Sequence, residues 1–378
     1  MRGNDDLMRL TPDADAEELR ETVRAFLGKH ADTAAVLRGP SGEPGWDPAT
    51  WSRFAGELGT VGLDVPEDLG GAGASFREVA VVAEELGRSL VRLPWFSTAV
   101  LGVGVLLHTD DGAARADLLP GLASGEVTAT LAYREDPEGW DPGRLATTAT
   151  PDGDGWRLTG TKILVVEGAA VDLLLVAART PEGPGIYAVD ADAPGLVRTP
   201  MRAMDPGRRL ARIELAATPA RAVTTPGGAL PILAKVLDRA VAALAAEQLG
   251  GAAAALESAV AHARDRIQFG RPIGSFQAVK HRCADMALHV EAARSASAWA
   301  TAATAEASGE LPLAAVTAAL RCGSAYRYVA AENIQVHGGI GFTWEHPAHL
   351  HFRRATTSAV LFGDHAEHQE RLLTELGV

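Results

Sequence analysis

Apolar residues recur at three- and four-residue spacing in AEELRETVRAFL, WSRFAGELG and FREVAVVAEELGRSL, so the chain from Asp15 to about Leu122 predicts helices. Ser75 followed by Glu78 makes a capping box, which sets a helix start there. The run Gly70-Gly71-Ala72-Gly73-Ala74 just before it completes no dinucleotide fingerprint and reads as a turn. From Val127 to Thr225 the period changes. VTATLAYR, RLATTAT, GWRLTG, TKILVV, DLLLVAAR, GIYAVD and ARIELAA are short, rich in β-branched residues and separated by Gly, Pro and Asp. This pattern predicts antiparallel strands, and no helical segments alternate with them as a parallel doubly wound sheet requires. Beyond Leu230 the helical period returns in four long alanine-rich stretches: Pro231 to about Arg266, Ser275 to about Ala307, Leu311 to about His337, and His349 onward. The expected fold is α+β, with an N-terminal helical domain over 1–125, a middle β domain over 126–226 and a C-terminal four-helix bundle over 227–378.

Composition narrows the function. The 378 residues carry 48 acids against 35 bases, a formal charge of −13, and no basic block that would neutralise a row of phosphates; nucleic acid is excluded as an expected partner. The two cysteines form neither a disulfide framework nor a thiolate metal site, and no stretch has the length and apolarity of a membrane span, so a cytoplasmic protein is expected. His346, His349 and His351 have the short spacing of metal ligands but straddle a helix start and Pro347, so no metal site is expected.

Two segments carry the strongest chemical signal. In RIQFGRPIGSFQ, Gly270, Pro272 and Gly274 break one long helix from the next, while Arg266, Phe269 and Gln277 supply a cation, a ring and an amide. A guanidinium pairs well with a pyrophosphate, and a ring packs on an apolar ring face. In QVHGGIG, Gln335 is followed by Gly338 and Gly339, whose backbone amides an anion can approach without side-chain obstruction.

With RIQFGRPIGSFQAVKHRCADM, IQVHGGIGFTWEHP, GLDVPEDLGGAGASFREVAVVAEELGRSL and LTGTKILVVEGAAVDLLLVAA in this order, nearly the whole chain resembles the acyl-CoA dehydrogenase family. That resemblance implies FAD and an α,β-desaturation: an acyl thioester loses its α proton to a carboxylate and its β hydride to flavin N5. It also implies a place in fatty-acid and lipid metabolism, an acyl-CoA or acyl-carrier thioester as substrate, and an electron-transfer flavoprotein or other acceptor. The residues matching Arg266, Phe269 and Gln277 reach FAD held by a neighbouring subunit in the family, and those matching Gln335, Gly338 and Gly339 lie beside its pyrophosphate. A homo-oligomer, dimer or tetramer, or a hetero-oligomer with a related chain is therefore expected. Asp364 corresponds to the adenine end of the cofactor, and Asp238 and Phe362 to the acyl-CoA site.

The chain also departs from the family. Leu164 and Val166 stand where the flavin ring usually meets Trp and Thr, and LAYREDPEGWDP (131–142) replaces the usual flavin-contacting segment. The C-terminal catalytic Glu, counted along the family spacing from Arg353, falls on Phe362, and the alternative base position holds Ala240. Two turns after Ala240, Glu247 has only Ala240, Ala243, Leu244, Gly250, Gly251 and Ala254 as neighbours on its own helix face. An acid there would be poorly solvated, with its pKa raised toward a general base's range and with room beside Gly250-Gly251, so Glu247 is the expected base. The alternative is that the chain is a non-catalytic or cofactor-completing subunit of a hetero-oligomeric acyl-CoA dehydrogenase.

Overall fold

The computed structural model describes residue 8, residues 10–30, 45–136 and 144–378. The segments are α1 (Ala14–His30), the one-turn α2 (Pro48–Ser52) running into a wide turn over Arg53–Glu57, and α3 (Phe76–Ser89). A second wide-turn stretch, Phe96–Gly102, then leads into α4 (Val103–His108), and α5 (Gly112–Ala123) follows. The start of α3 agrees with the Ser75-x-x-Glu78 signal, and Asp111 caps α5 by accepting from the amides of Ala113 and Ala114.

Seven strands form one sheet: β1 (Ala129–Ala132), β2 (Thr148–Asp152), β3 (Gly155–Val166), β4 (Leu173–Thr180), β5 (Gly183–Asp190), β6 (Leu196–Pro200) and β7 (Leu210–Ala222). GWRLTG and TKILVV, read as two strands, are one: β3 runs through both, with irregular register near Gly160 and again between Lys162 and Val165. β6 lacked an alternation strong enough to be foreseen. The sheet is not wholly antiparallel either, because β1 pairs with β4 in parallel. Its core gathers Leu158, Leu174, Val176, Tyr187, Val189 and Ile213.

Three long helices follow, α6 (Ala229–Asp265), α7 (Gln277–Ala305) and α8 (Leu311–His337), with a tight hairpin of β8 (Ile267–Gln268) and β9 (Arg271–Pro272) between the first two. The expected fourth helix is two helices, α9 (Ala348–Ser358) and α10 (His365–Glu375). The break has a local cause. Phe362 and Gly363 take positive φ, 62° and 125°, and the Asp364 carboxylate then caps α10 in a reciprocal box with Glu367.

The chain divides into two compact units, the first made of 1–39, 76–91 and 241–378, the second of 40–75 and 92–240. In this division α1 and α3 group with the C-terminal helices, whereas α2, α4 and α5 group with the sheet. The boundary falls within α6, between Ala240 and Val241.

Candidate functional site

Within the first unit α3 and α6 cross at backbone contact. A Cβ on Gly87 would lie 1.9 Å from the Glu247 carbonyl oxygen, and one on Gly250 would lie 1.9 Å from that of Glu84. These reciprocal glycines let the helix axes approach, so the space expected beside Gly250-Gly251 does not exist. Gly250 meets α3, and Gly251 faces the Tyr326 ring, whose hydroxyl sits 3.0 Å from His351 Nδ1.

Glu247, the expected base, is buried as foreseen but is not isolated. Arg354 of α9 donates from Nη1 to Glu247 Oε1 at 3.2 Å, and both side chains are 6% exposed. The acid therefore has a cation beside it, contrary to the expectation of an acid surrounded only by alanine, leucine and glycine. That partner comes from another helix, where spacing along α6 cannot reveal it.

The other acids assigned to the site are also engaged or buried. Asp238 is 5% exposed in α6, and the adjacent Arg239 pairs with Asp64 rather than with it, donating also to the Ala99 and Val100 carbonyls. Asp364, assigned to the cofactor's adenine end, uses its carboxylate as the α10 cap. Phe362 is half-buried in a left-handed backbone conformation.

At the end of β3 the flavin-facing assignments change. Val166 is 3% exposed, so its side chain is committed to the interior, and its carbonyl accepts the Thr130 hydroxyl at 2.7 Å. Leu164 sits half-buried at the bulge with φ 55°. In the first half of the 131–142 segment, Glu135 turns inward to Lys162 Nζ at 2.5 Å and to the amides of Ala146 and Thr147. Burial lowers the Lys162 pKa to about 8, with Glu135 opposing the shift. Residues 137–142 lie outside the described part of the chain.

The hairpin and the glycine turn look different. Phe269 and Gly270 form the two-residue loop between β8 and β9, both at positive φ (52° and 75°), the conformation of a type I′ turn. Phenylalanine is costly there, by roughly 1–3 kcal/mol. Its ring is 92% exposed, so the strain presents an aromatic surface outward. Arg266 and Gln277 are exposed on either side. At the end of α8, Gly338 (φ 66°) caps the helix, Gln335 is exposed, and a Cβ on Gly338 or Gly339 would meet nothing within 4 Å.

Three histidines, of which the sequence analysis weighed only His346, stack beside these segments. The His262 ring of α6 lies 4.3 Å from that of His337, which lies 4.4 Å from His346, and His337 Nδ1 is 2.8 Å from the Asn333 carbonyl. Burial, followed by His337, lowers the pKa of both His262 and His346. Among the described residues no group of three or more His, Cys, Asp or Glu is placed to hold a metal ion, and no helix is long and apolar enough to cross a membrane.

The arrangement is that of a flavoenzyme of the acyl-CoA dehydrogenase fold. The family models for the acyl-CoA dehydrogenase N-terminal domain and C-terminal domain match residues 13–126 and 230–375. The chain is 36% identical over 368 residues to acyl-CoA dehydrogenase IpdE2 of Mycobacterium tuberculosis, covering 97% of this chain and 99% of that protein. Among solved structures, it resembles the Tcur3481-Tcur3483 steroid ACAD at a TM-score of 0.86 and 33% identity, covering 96% of this chain and 98% of that one. It also resembles the ChsE4-ChsE5 complex of Mycobacterium tuberculosis at a TM-score of 0.88 and 29% identity, covering 98% of this chain and 99% of that one. The chain belongs to the acyl-CoA dehydrogenase family, oxidoreductases whose cofactor is FAD.

The exposed guanidinium, ring and amide around the hairpin, with the open Gly338-Gly339 backbone, fit a dinucleotide approached from outside the chain. The end of β3 does not offer the family's polar side chains to a flavin ring.

Proposed function

We propose that this chain serves as the cofactor-completing, base-lacking subunit of a hetero-oligomeric acyl-CoA dehydrogenase. The carrying observation is the buried Glu247–Arg354 pair. With Phe362 and Ala240 at the two family base positions, Glu247 was the acid assigned to take the α proton, and Arg354 holds it as a structural carboxylate. The apolar end of β3 supports the same reading, as do the two solved relatives that are each named as a pair of chains, Tcur3481-Tcur3483 and ChsE4-ChsE5.

When bound, FAD supplies the hydride acceptor for desaturation of an acyl thioester. In this assignment Arg266 pairs with its pyrophosphate, Phe269 covers an apolar face, Gln277 and Gln335 donate or accept at its polar edge, and the Gly338 and Gly339 amides meet phosphate oxygen. The strained hairpin fixes the ring before the partner arrives, which reduces the ordering cost on assembly. The partner subunit supplies the carboxylate base. The electrons pass to an electron-transfer flavoprotein or another acceptor.

The test compares the chain purified alone with the chain co-expressed with a related acyl-CoA dehydrogenase chain. Substrate-dependent flavin reduction is expected only from the mixed assembly, and Glu247→Gln, assayed at a temperature where circular dichroism shows it folded, should leave its rate within about twofold. Turnover by the chain alone, lost in Glu247→Gln, would overturn the proposal and restore Glu247 as the base.

A further inference from the structure

In the first unit α1, α3, α6 and α7 part to leave a cleft of about 510 Å³, within the range of small-molecule sites. Its apolar wall comes from small side chains on facing helices: Ala80 of α3, Ala246, Leu249 and Ala253 of α6, and Ala298 and Ala302 of α7. Leucines at these positions would fill the space. The helices cannot close it by sliding together, because α3 and α6 already touch at backbone level through Gly87 and Gly250. None of the residues assigned to FAD lines it.

Guanidiniums gather around the apolar wall. Arg20 and Arg24 come from α1, Arg77 and Arg88 from α3 and Arg294 from α7, against Glu17, Glu84 and Glu257 among the lining carboxylates. Several are committed: Arg88 to Glu257 at 2.6 Å, Arg20 to Glu84 at 2.8 Å, Arg24 to the buried Glu85 at 2.7 Å, and Arg77 to Glu306. Arg294 differs. Its side chain is 47% exposed, and its contacts to Glu84 and Glu291 are long, at 3.7 and 3.4 Å. A charge-assisted bond is about 2.7–2.9 Å, so Arg294 has donors to offer a better-placed acceptor.

We infer that this cleft binds an amphipathic monocarboxylate, its hydrocarbon body against the alanines and its carboxylate on Arg294. The surrounding carboxylates disfavour a multiply charged head such as a pyrophosphate, while a single negative charge can be met by Arg294, whose carboxylate contacts are long. The site stands apart from the flavin assignment and does not rest on the subunit role proposed above.

Titrating the purified chain with decanoate, below its micelle concentration, in a calorimeter tests this. Saturable binding at one site is expected, with decan-1-ol at least about tenfold weaker. Ala298→Phe and Thr301→Phe enter the cleft from half-buried positions and should each weaken binding at least about tenfold while circular dichroism stays unchanged. Arg294→Glu should do the same without filling the space. Absence of saturable heat, or undiminished decanoate binding in both filled variants, would overturn the site. Equal binding of decanol and decanoate, or an unaffected Arg294→Glu, would overturn the carboxylate assignment.

Discussion

Removing one partner of the Glu247–Arg354 pair leaves the other's charge buried, and the size of the loss follows from the geometry. At 3.2 Å the attraction is about 5 kcal/mol for an effective dielectric of about 20. Much of that offsets the cost of taking both ions out of water, so the intact pair contributes little net stability. Breaking it is another matter: Glu247→Gln removes a carboxylate from beside a guanidinium that is 6% exposed, and Arg354→Met removes a guanidinium from beside the buried carboxylate. Each should cost about 3–5 kcal/mol. The double variant should lose much less than the sum, with a coupling of about 2–3 kcal/mol between the two changes. Urea unfolding of all four proteins, followed by tryptophan fluorescence and circular dichroism, measures this. Single variants within about 0.5 kcal/mol of the parent, or a double variant equal to the sum, would refute the ion-pair reasoning.

The helix crossing predicts that Gly87→Ala, whose methyl would meet the Glu247 carbonyl, costs about 3 kcal/mol or more in the same assay, whereas Gly28→Ala, with nothing within 4 Å, does not destabilise. His108 is held neutral by burial and then by Arg239 and Lys235, which lower its pKa to about 4. The unfolded chain takes up that proton near about pH 6.5, so this group's contribution is complete above that value and erodes as the pH falls toward 4, by roughly 2–3 kcal/mol. His108→Gln should flatten that part of the stability profile. Phe269→Ala, at a residue that is 92% exposed, should leave the stability of the isolated chain unchanged, because alanine carries the same Cβ at positive φ. In the assembled enzyme it should lower flavin retention, read from the absorbance that survives gel filtration.

Much of the fold was legible because periodicity is local. The start of α3, the long helices α6, α7 and α8, and most strands follow from which residues repeat at three to four or at two. The break between α9 and α10 was harder, since Phe362 carries no turn signal; only its positive φ beside Gly363 and the Asp364 cap reveals it. β6 and the parallel pairing of β1 with β4 were hidden because strand partners are chosen by contacts distant in sequence.

The exposed hairpin and the glycine turn could be read from the chain itself. A break bearing Arg266, Phe269 and Gln277 and a turn bearing Gly338 and Gly339 owe their exposure to local backbone chemistry, which their own residues dictate. The state of Glu247 could not. Its burial follows from the alanines around it on α6, but its charge is set by Arg354, 107 positions later on another helix. The sequence determines which groups are present and how each helix turns. Only packing decides which buried charge meets which, because electrostatic energy depends on distance through space and on exclusion of water, neither of which is ordered along the chain.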